Sequence, residues 1–456
     1  MYAVLPLCQR RAWGACTPSP STCQDVHVSE SPLSLPTIAD IEAARVPVSA
    51  IARVTPLISS RQLSSIARAP VWIKAEVLQR TGSFKVRGAA TFLASLDEVA
   101  RRRGVIAASA GNHAQGVAVA AAAFDAPCQV VMPVGTALPK ERATRDYGAE
   151  VVLHGKDLGE AVVRAEALAA EHDWTFVPPF DDPRIIAGQG TLGLELLEQA
   201  PDLEVVVIPV GGGGLAAGTA MALKDRNPAI RVIGVQAEAM ASAVRSFGRD
   251  VPLTVESSST LADGCAVPRV GDLTLPLLNR HVDELVAVSE EWISTAMVWL
   301  LERTKLVVEG AGALAVAALL AGVIDVHDQR TAVVLSGGNI DINSVARAVE
   351  HGLARAGRYL QVIATVPDQP GHLARLLDVT ARDQANVLDV WHRRSAPAIP
   401  IGAVEIELLL ETRDASHAAA LTEALLDSGL RQVDGRIGFI RLRDPVVPDP
   451  GSSASA

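Results

Sequence analysis

Four short stretches carry residues that could do chemistry. "RTGSFKVRGA" (80–89) holds Lys85, one of only six lysines among 41 basic residues. Arginine keeps its proton in a protein, whereas a desolvated lysine can become a free amine nucleophile. By residue type alone Lys85 reads equally as a solvated charge, and its neighbour Arg87 as structural. "PVGGGGLAAG" (209–218) sets four glycines between a strand-like run and a helix-like run. Backbone amides there can converge with a helix N-terminus on a phosphate. The bland reading is a tight turn. Gly211, Gly213 and Ala216 also loosely satisfy G-x-G-x-x-G/A, which keeps a dinucleotide open. The acidic residue after the next strand, Glu238, lies 27 residues past Gly211 rather than about 20.

"SAGNHAQG" (109–116) is a second strand-to-helix junction. Its amides, from Ser109 through Ala110, Gly111, Asn112 and His113, could hold a carboxylate, and the last two side chains could hydrogen-bond a ligand. Alternatively, Asn112 is simply a helix cap. "LSGGN" (335–339) ends a strand on Ser336, where open parallel sheets place ligand crevices. "EGAGALA" (309–315) reads as close helix packing, with no role for Glu309. Together an amine, a phosphate cradle, a carboxylate cradle and a strand-end hydroxyl are what a pyridoxal phosphate enzyme requires.

These groups must be positioned by an α/β scaffold. "TIADIEAARVPVSAI" predicts a helix capped by Thr37. "VWIKAEVL" predicts a strand, and further Val/Ile runs at 104–109, 127–133, 149–155, 204–210, 231–236 and 331–336 alternate with Ala-rich helices. Continuous apolar strands separated by helices indicate a parallel sheet covered on both faces. After residue 356 the pattern becomes βαββαβ, the ferredoxin-like order. The domain reading is therefore an N-terminal extension (1–36), disordered or not native; an α/β domain (37–353); a small domain (357–445); and a disordered tail (446–456).

At 456 residues the chain can form two or three domains. A net charge of −10, with no basic run interleaved with aromatics, argues against nucleic acid. Apolar stretches such as Ala311–Ile324 fall short of the roughly 20 residues that span a bilayer. Five scattered cysteines suggest neither a disulfide framework nor a metal site, so a reducing, cytoplasmic setting is expected.

With these motifs in view, the chain resembles the threonine dehydratases (threonine ammonia-lyases) of the tryptophan synthase β-like, fold type II pyridoxal phosphate enzymes, which implies a two-lobed, parallel-sheet catalytic domain over 37–353 with a smaller lobe at about 104–181. "SFKVRGA", "SAGNHAQG", "PPFDD", "IAGQGT", "PVGGGGL", "TLADGCAV" and "LSGGNID" carry the resemblance over about residues 37–350. "PDQPGHLARL" and "ANVLDV" resemble an ACT domain, the amino-acid-sensing ferredoxin-like module. The resemblance implies that Lys85 is the Schiff-base lysine and that Phe84 packs on the cofactor ring opposite Gly264. It implies that Asn112 bonds the ring hydroxyl, that Gly211, Gly212, Gly213, Gly214 and Leu215 bind the phosphate, and that Ser336 meets the pyridine nitrogen. Ser109 to His113 would hold the carboxylate of L-threonine, with L-serine as a side substrate, and no metal is implied.

An amino-acid effector would bind near Asp368, Gln369, Gly371, His372, Leu373 and Asn386, at an interface between two such domains in a homo-oligomer, a dimer or tetramer. The alternative is a purely dimerising module. Serine racemases share most of the motifs but carry a proton-exchanging serine where this chain has Ala110, and an asparagine at Phe180. Their divalent-metal site is incomplete here, with Val244 at an expected aspartate. A sensor with a relic catalytic lobe and a nicotinamide dehydrogenase are the readings from other classes.

Overall fold

The computed structural model describes residues 34–394, 399–428 and 440–442. The expected N-terminal extension and C-terminal tail therefore lie almost wholly outside the described residues. The first helix, Ile38–Ile51, starts where its capping residues dictate. Thr37 Oγ1 accepts from the Asp40 amide at 3.4 Å, and the Asp40 carboxylate accepts from the Thr37 amide at 2.7 Å. Its buried residues Ile41, Ala44, Val48 and Ile51 recur at helical spacing.

Strand β1 (Leu57–Ser59) pairs antiparallel with β2 (Val71–Ala75). The chain then leaves that sheet and builds a second one from β3 (Val105–Ala108), β4 (Cys128–Met132), β5 (Glu150–Leu153) and β6 (Thr175–Phe176), all parallel, in the order β5-β4-β3-β6. It returns with β7 (Val205–Pro209), β8 (Arg231–Ala237), β9 (Glu284–Val288) and β10 (Thr331–Leu335). The first sheet closes as β1-β2-β10-β7-β8-β9, parallel apart from β1. The predicted parallel texture is thus divided between two sheets. Three strands escape the sequence reading: β1 and β6 are only two or three residues long, and the edge strand β9 is mostly half-buried, so none shows a continuous apolar run.

Helix Pro183–Gln199 packs between two other helices, and its glycines explain "IAGQGT". A Cβ on Gly188 would come within 2.6 Å of the Arg87 carbonyl oxygen, and one on Gly218 would overlap the Ile186 carbonyl. The helix can therefore lie backbone to backbone against both Lys85–Ser95 and Gly214–Arg226, the two helices that begin at the chemically interesting stretches. A buried ionic cluster fixes the first of these. Arg87, fully buried, donates to Glu76 at 2.8 and 2.9 Å and to Glu195 at 2.6 and 2.9 Å. Buried Lys74 donates to Glu195, Gln199 and the Thr55 carbonyl at 2.8–2.9 Å. Each buried charge is paired and hydrogen-bonded, which its burial requires.

The C-terminal sheet is antiparallel: β11 (Tyr359–Pro367), β12 (Asn386–Arg393), β13 (Ala403–Glu411) and β14 (Ile440–Leu442), in the order β12-β13-β11-β14. Helices His372–Arg382 and Ala415–Asp427 complete the βαββαβ order. Alternate residues of β11, from Leu360 to Val366, point into a core of their own with Ile406, Leu408 and Leu421.

The expected regulatory residues fall in two places. Asp368 and Gln369 follow β11, Gly371 precedes the next helix at φ +101°, and His372 and Leu373 begin it. Asn386 opens β12 opposite Glu411, which in turn faces Tyr359 at the far end of β11. At roughly 3.3 Å per residue the two groups are about 25 Å apart. Within one chain they do not form one site.

Candidate active site

Lys85 stands at the start of its helix because the preceding turn is stitched to the end of β10. The Phe84 amide donates to the Ser336 carbonyl at 3.1 Å, and Asn339 Nδ2 donates to the Thr81 carbonyl at 2.6 Å. The Lys85 amine donates to the Pro179 carbonyl at 2.8 Å and lies 5.3 Å from the centre of the Phe84 ring. Burial pushes its pKa down to about 8. A neutral amine is therefore accessible near physiological pH.

The glycine run lies between β7 and helix Gly214–Arg226, whose first-turn amides have no intrahelical acceptors. A Cβ on Gly212 would overlap the Phe180 ring; Gly213 takes φ +97°, and a Cβ there would come within 2.8 Å of Thr274 Oγ1. Thr274 Oγ1 donates to the Gly212 carbonyl at 2.7 Å. "PPFDD" divides its work around this cradle. Phe180 packs on the glycines, Asp181 accepts the amides of Asp272, Leu273 and Thr274 at 2.9–3.2 Å, and Asp182 caps helix Pro183–Gln199.

In "SAGNHAQG" the helix begins at Asn112, with Gly111 in the capping position, so the Asn112 side chain is not a cap. Its Nδ2 donates to Glu309 Oε1 at 2.6 Å, and its Oδ1 accepts from Asn339 Nδ2 at 2.8 Å. The buried His113 ring places Nε2 2.9 Å from the Val177 carbonyl, and burial lowers its pKa to about 3. It is neutral, with Nε2 as the donor. Ser336 is buried at the end of β10.

Every catalytic, cofactor-side and substrate-side residue singled out from the sequence lines one cavity of about 540 Å³, within the range of small-ligand sites. Its wall also contains groups to which sequence reasoning gave no place in the site. Pro179 and Phe180 enter from the "PPFDD" loop, and Asn339 follows "LSGG". Lys140 and Asp263 pair at 2.8 Å, joining a helix beside β4 to the "ADG" turn. Glu309, read as a packing position, is buried in the same wall, and burial together with Asp263 pushes its carboxyl up to about 7. A lone acidic residue opening the otherwise apolar helix Gly310–Ala321 was the available signal.

The profile of the family described as "Pyridoxal-phosphate dependent enzyme" matches residues 48–337. The chain is 48% identical over 393 residues to an L-threonine ammonia-lyase of Thermotoga maritima, covering 86% of this chain and 98% of that one. Among solved structures, the processed form of threonine deaminase isoform 2 from Solanum lycopersicum superposes with a TM-score of 0.66 at 36% identity, over 69% of this chain and 92% of that one. Maize serine racemase gives a TM-score of 0.66 at 30% identity, over 70% and 98% respectively.

Proposed function

Because the chain belongs to the pyridoxal-phosphate dependent enzymes, in the threonine ammonia-lyase (threonine dehydratase) family, we propose that it converts L-threonine to 2-oxobutanoate and ammonia by β-elimination of water. The observation that carries this reading is the Lys85 amine sharing one cavity with the Gly211–Gly213 cradle and Ser336. The residues fit the cofactor. Side chains at Gly212 and Gly213 would collide with Phe180 and Thr274, so only glycine lets these amides converge at a helix start on a phosphate-sized anion.

Bound pyridoxal phosphate supplies an electron sink conjugated to the substrate α-carbon. Lys85 would hold it, and the free Lys85 amine would take up the substrate Cα proton, a task suited to a group titrating near 8. Gly211 to Leu215 would hold the phosphate, Phe84 and the Gly264 turn would line the ring site, and Asn112 would donate to the ring oxygen. Ser336 would meet the ring nitrogen as a neutral partner. A hydroxyl there would stabilise a protonated ring nitrogen less than a carboxylate does, which suits an elimination, whose leaving group itself accepts electrons. Ser109, Ala110, Gly111, Asn112 and His113 hold the substrate carboxylate. The released enamine hydrolyses to the 2-oxoacid and ammonia.

L-Serine is a side substrate, since one methyl group discriminates by only about 1–3 kcal/mol. Racemisation is minor because Ala110 has no proton to exchange. Residues 37–353 form the catalytic domain and 357–445 an ACT-like regulatory domain in a cytoplasmic homo-oligomer. An amino-acid effector that touches both Asp368–Leu373 and Asn386 needs two copies of that domain, given their separation along one sheet.

The test is an absorption spectrum of the purified chain with a 2-oxoacid assay on threonine and serine side by side, with and without isoleucine or valine. A cofactor band in the visible and 2-oxobutanoate formation are expected. A colourless protein that binds NAD would overturn the reading, and effector responses unchanged on deleting residues 357–456 would overturn the regulatory part.

A further inference from the structure

Glu309 is the one acid buried in the cavity wall to which the proposed reaction gives no task. Its surroundings fix the orientation of a neighbouring amide by a chain of forced choices. The Thr81 carbonyl can only accept, so the Asn339 atom facing it at 2.6 Å is the nitrogen. That same nitrogen lies 2.8 Å from Asn112, whose facing atom must then be Oδ1. Asn112 Nδ2 is consequently turned to Glu309 Oε1, at 2.6 Å. A flipped Asn112 amide would set nitrogen against nitrogen at Asn339, two donors face to face. After these bonds Nδ2 keeps one uncommitted N–H, so Asn112 offers a ligand a donor.

We infer that Glu309 is a positioning residue, which holds the Asn112 amide nitrogen toward the ring oxygen of bound pyridoxal phosphate and so makes the site select that oxygen in its ionised form. A hydrogen bond donated to an oxygen favours its anion over its protonated form. The inference rests on the assignment of Asn112 to the ring oxygen in the proposed function. Glu309 acts through Asn112 and is not a catalytic residue.

The experiment compares holoenzymes of the wild type, Glu309→Gln and Glu309→Leu, saturated with pyridoxal phosphate and free of substrate. It reads the ratio of the visible to the near-ultraviolet cofactor band, which follows the ionisation of the ring oxygen, and the cofactor Kd. Glutamine keeps an acceptor, so Glu309→Gln should stay within about twofold of wild type. Glu309→Leu should shift the ratio toward the near-ultraviolet and weaken cofactor binding, each by about tenfold, the scale of one lost hydrogen bond. A wild-type spectrum in Glu309→Leu overturns the inference, as does an equal shift in both variants, which would assign the effect to charge rather than to an acceptor. Should Glu309→Leu fail to fold, Asn339→Ala, which frees the other end of the same amide, must shift the ratio in the same direction; an unchanged ratio overturns the inference. A wild-type chain that takes up no cofactor overturns the proposed function and this inference together. A coloured wild type whose visible band disappears in Lys85→Ala, with Glu309→Leu unaltered, overturns the inference alone.

Discussion

The Lys85 amine donates a 2.8 Å hydrogen bond to the carbonyl of Pro179, the residue just before Phe180, whose ring packs on the glycine cradle. One contact thus links the nucleophile to the segment that shapes the anion site, although the two stretches are far apart in the chain. It also holds the amine in a wall that strips it of water, the cause of its lowered pKa.

Replacing Lys85 by alanine should abolish the visible cofactor band and lower ammonia release by roughly a thousandfold or more, the scale of a lost general base. Lys85→Arg should not rescue it, since a guanidinium keeps its proton. In the apo-protein the second-order rate of cofactor capture should rise with pH through about 8 and then level off, as the neutral amine becomes populated. A stopped-flow profile that is flat across this range would contradict the assignment.

Arg87 sits two residues from the nucleophile, yet it faces Glu76 and Glu195. Arg87→Leu leaves the fully buried Glu76 without its partner and should cost about 3–5 kcal/mol in urea unfolding. Arg87→Lys should recover only part of this, because an ammonium cannot span both carboxylates as a planar fork does.

Gly212→Ala should weaken pyridoxal phosphate binding by at least about tenfold, the overlap with the Phe180 ring displacing the cradle amides. Combining it with Phe180→Ala removes the obstacle and should restore a substantial part of the affinity, measured by equilibrium dialysis. A double variant as weak as the single one would show that Phe180 is not what demands glycine.

His113 stays neutral in the folded protein down to about pH 3, whereas its unperturbed value is 6.5. The unfolded chain therefore binds one more proton between these values, and stability falls as pH drops below 6.5, by up to about 1.4 kcal/mol per unit from this residue. His113→Gln, which does not titrate, should lose some stability at neutral pH but show a shallower decline between pH 6.5 and 4.5. Equal slopes in the two proteins would place the acid sensitivity elsewhere.

Local patterns were sufficient for much of this molecule. The Thr37 capping box, the fully buried Val/Ile strands, the βαββαβ order and the glycine run each depend on a few consecutive residues, whose backbone preferences and burial periodicity are written in the chain. The same holds for nominating Lys85, Asn112 and Ser336, whose residue types sit at strand and helix ends. Other features depend on partners that no local pattern announces. Asn112 meets Glu309 across 197 residues, Arg87 meets Glu195 across 108, and Asp181 caps a turn more than 90 residues away. Packing alone decided that Asp368 and Asn386 would stand at opposite ends of the C-terminal sheet. The physical reason is range. Propensity and capping act within a turn or two of chain, while the pairing of buried charges and the orientation of a buried amide depend on which surfaces meet when the elements close over one another.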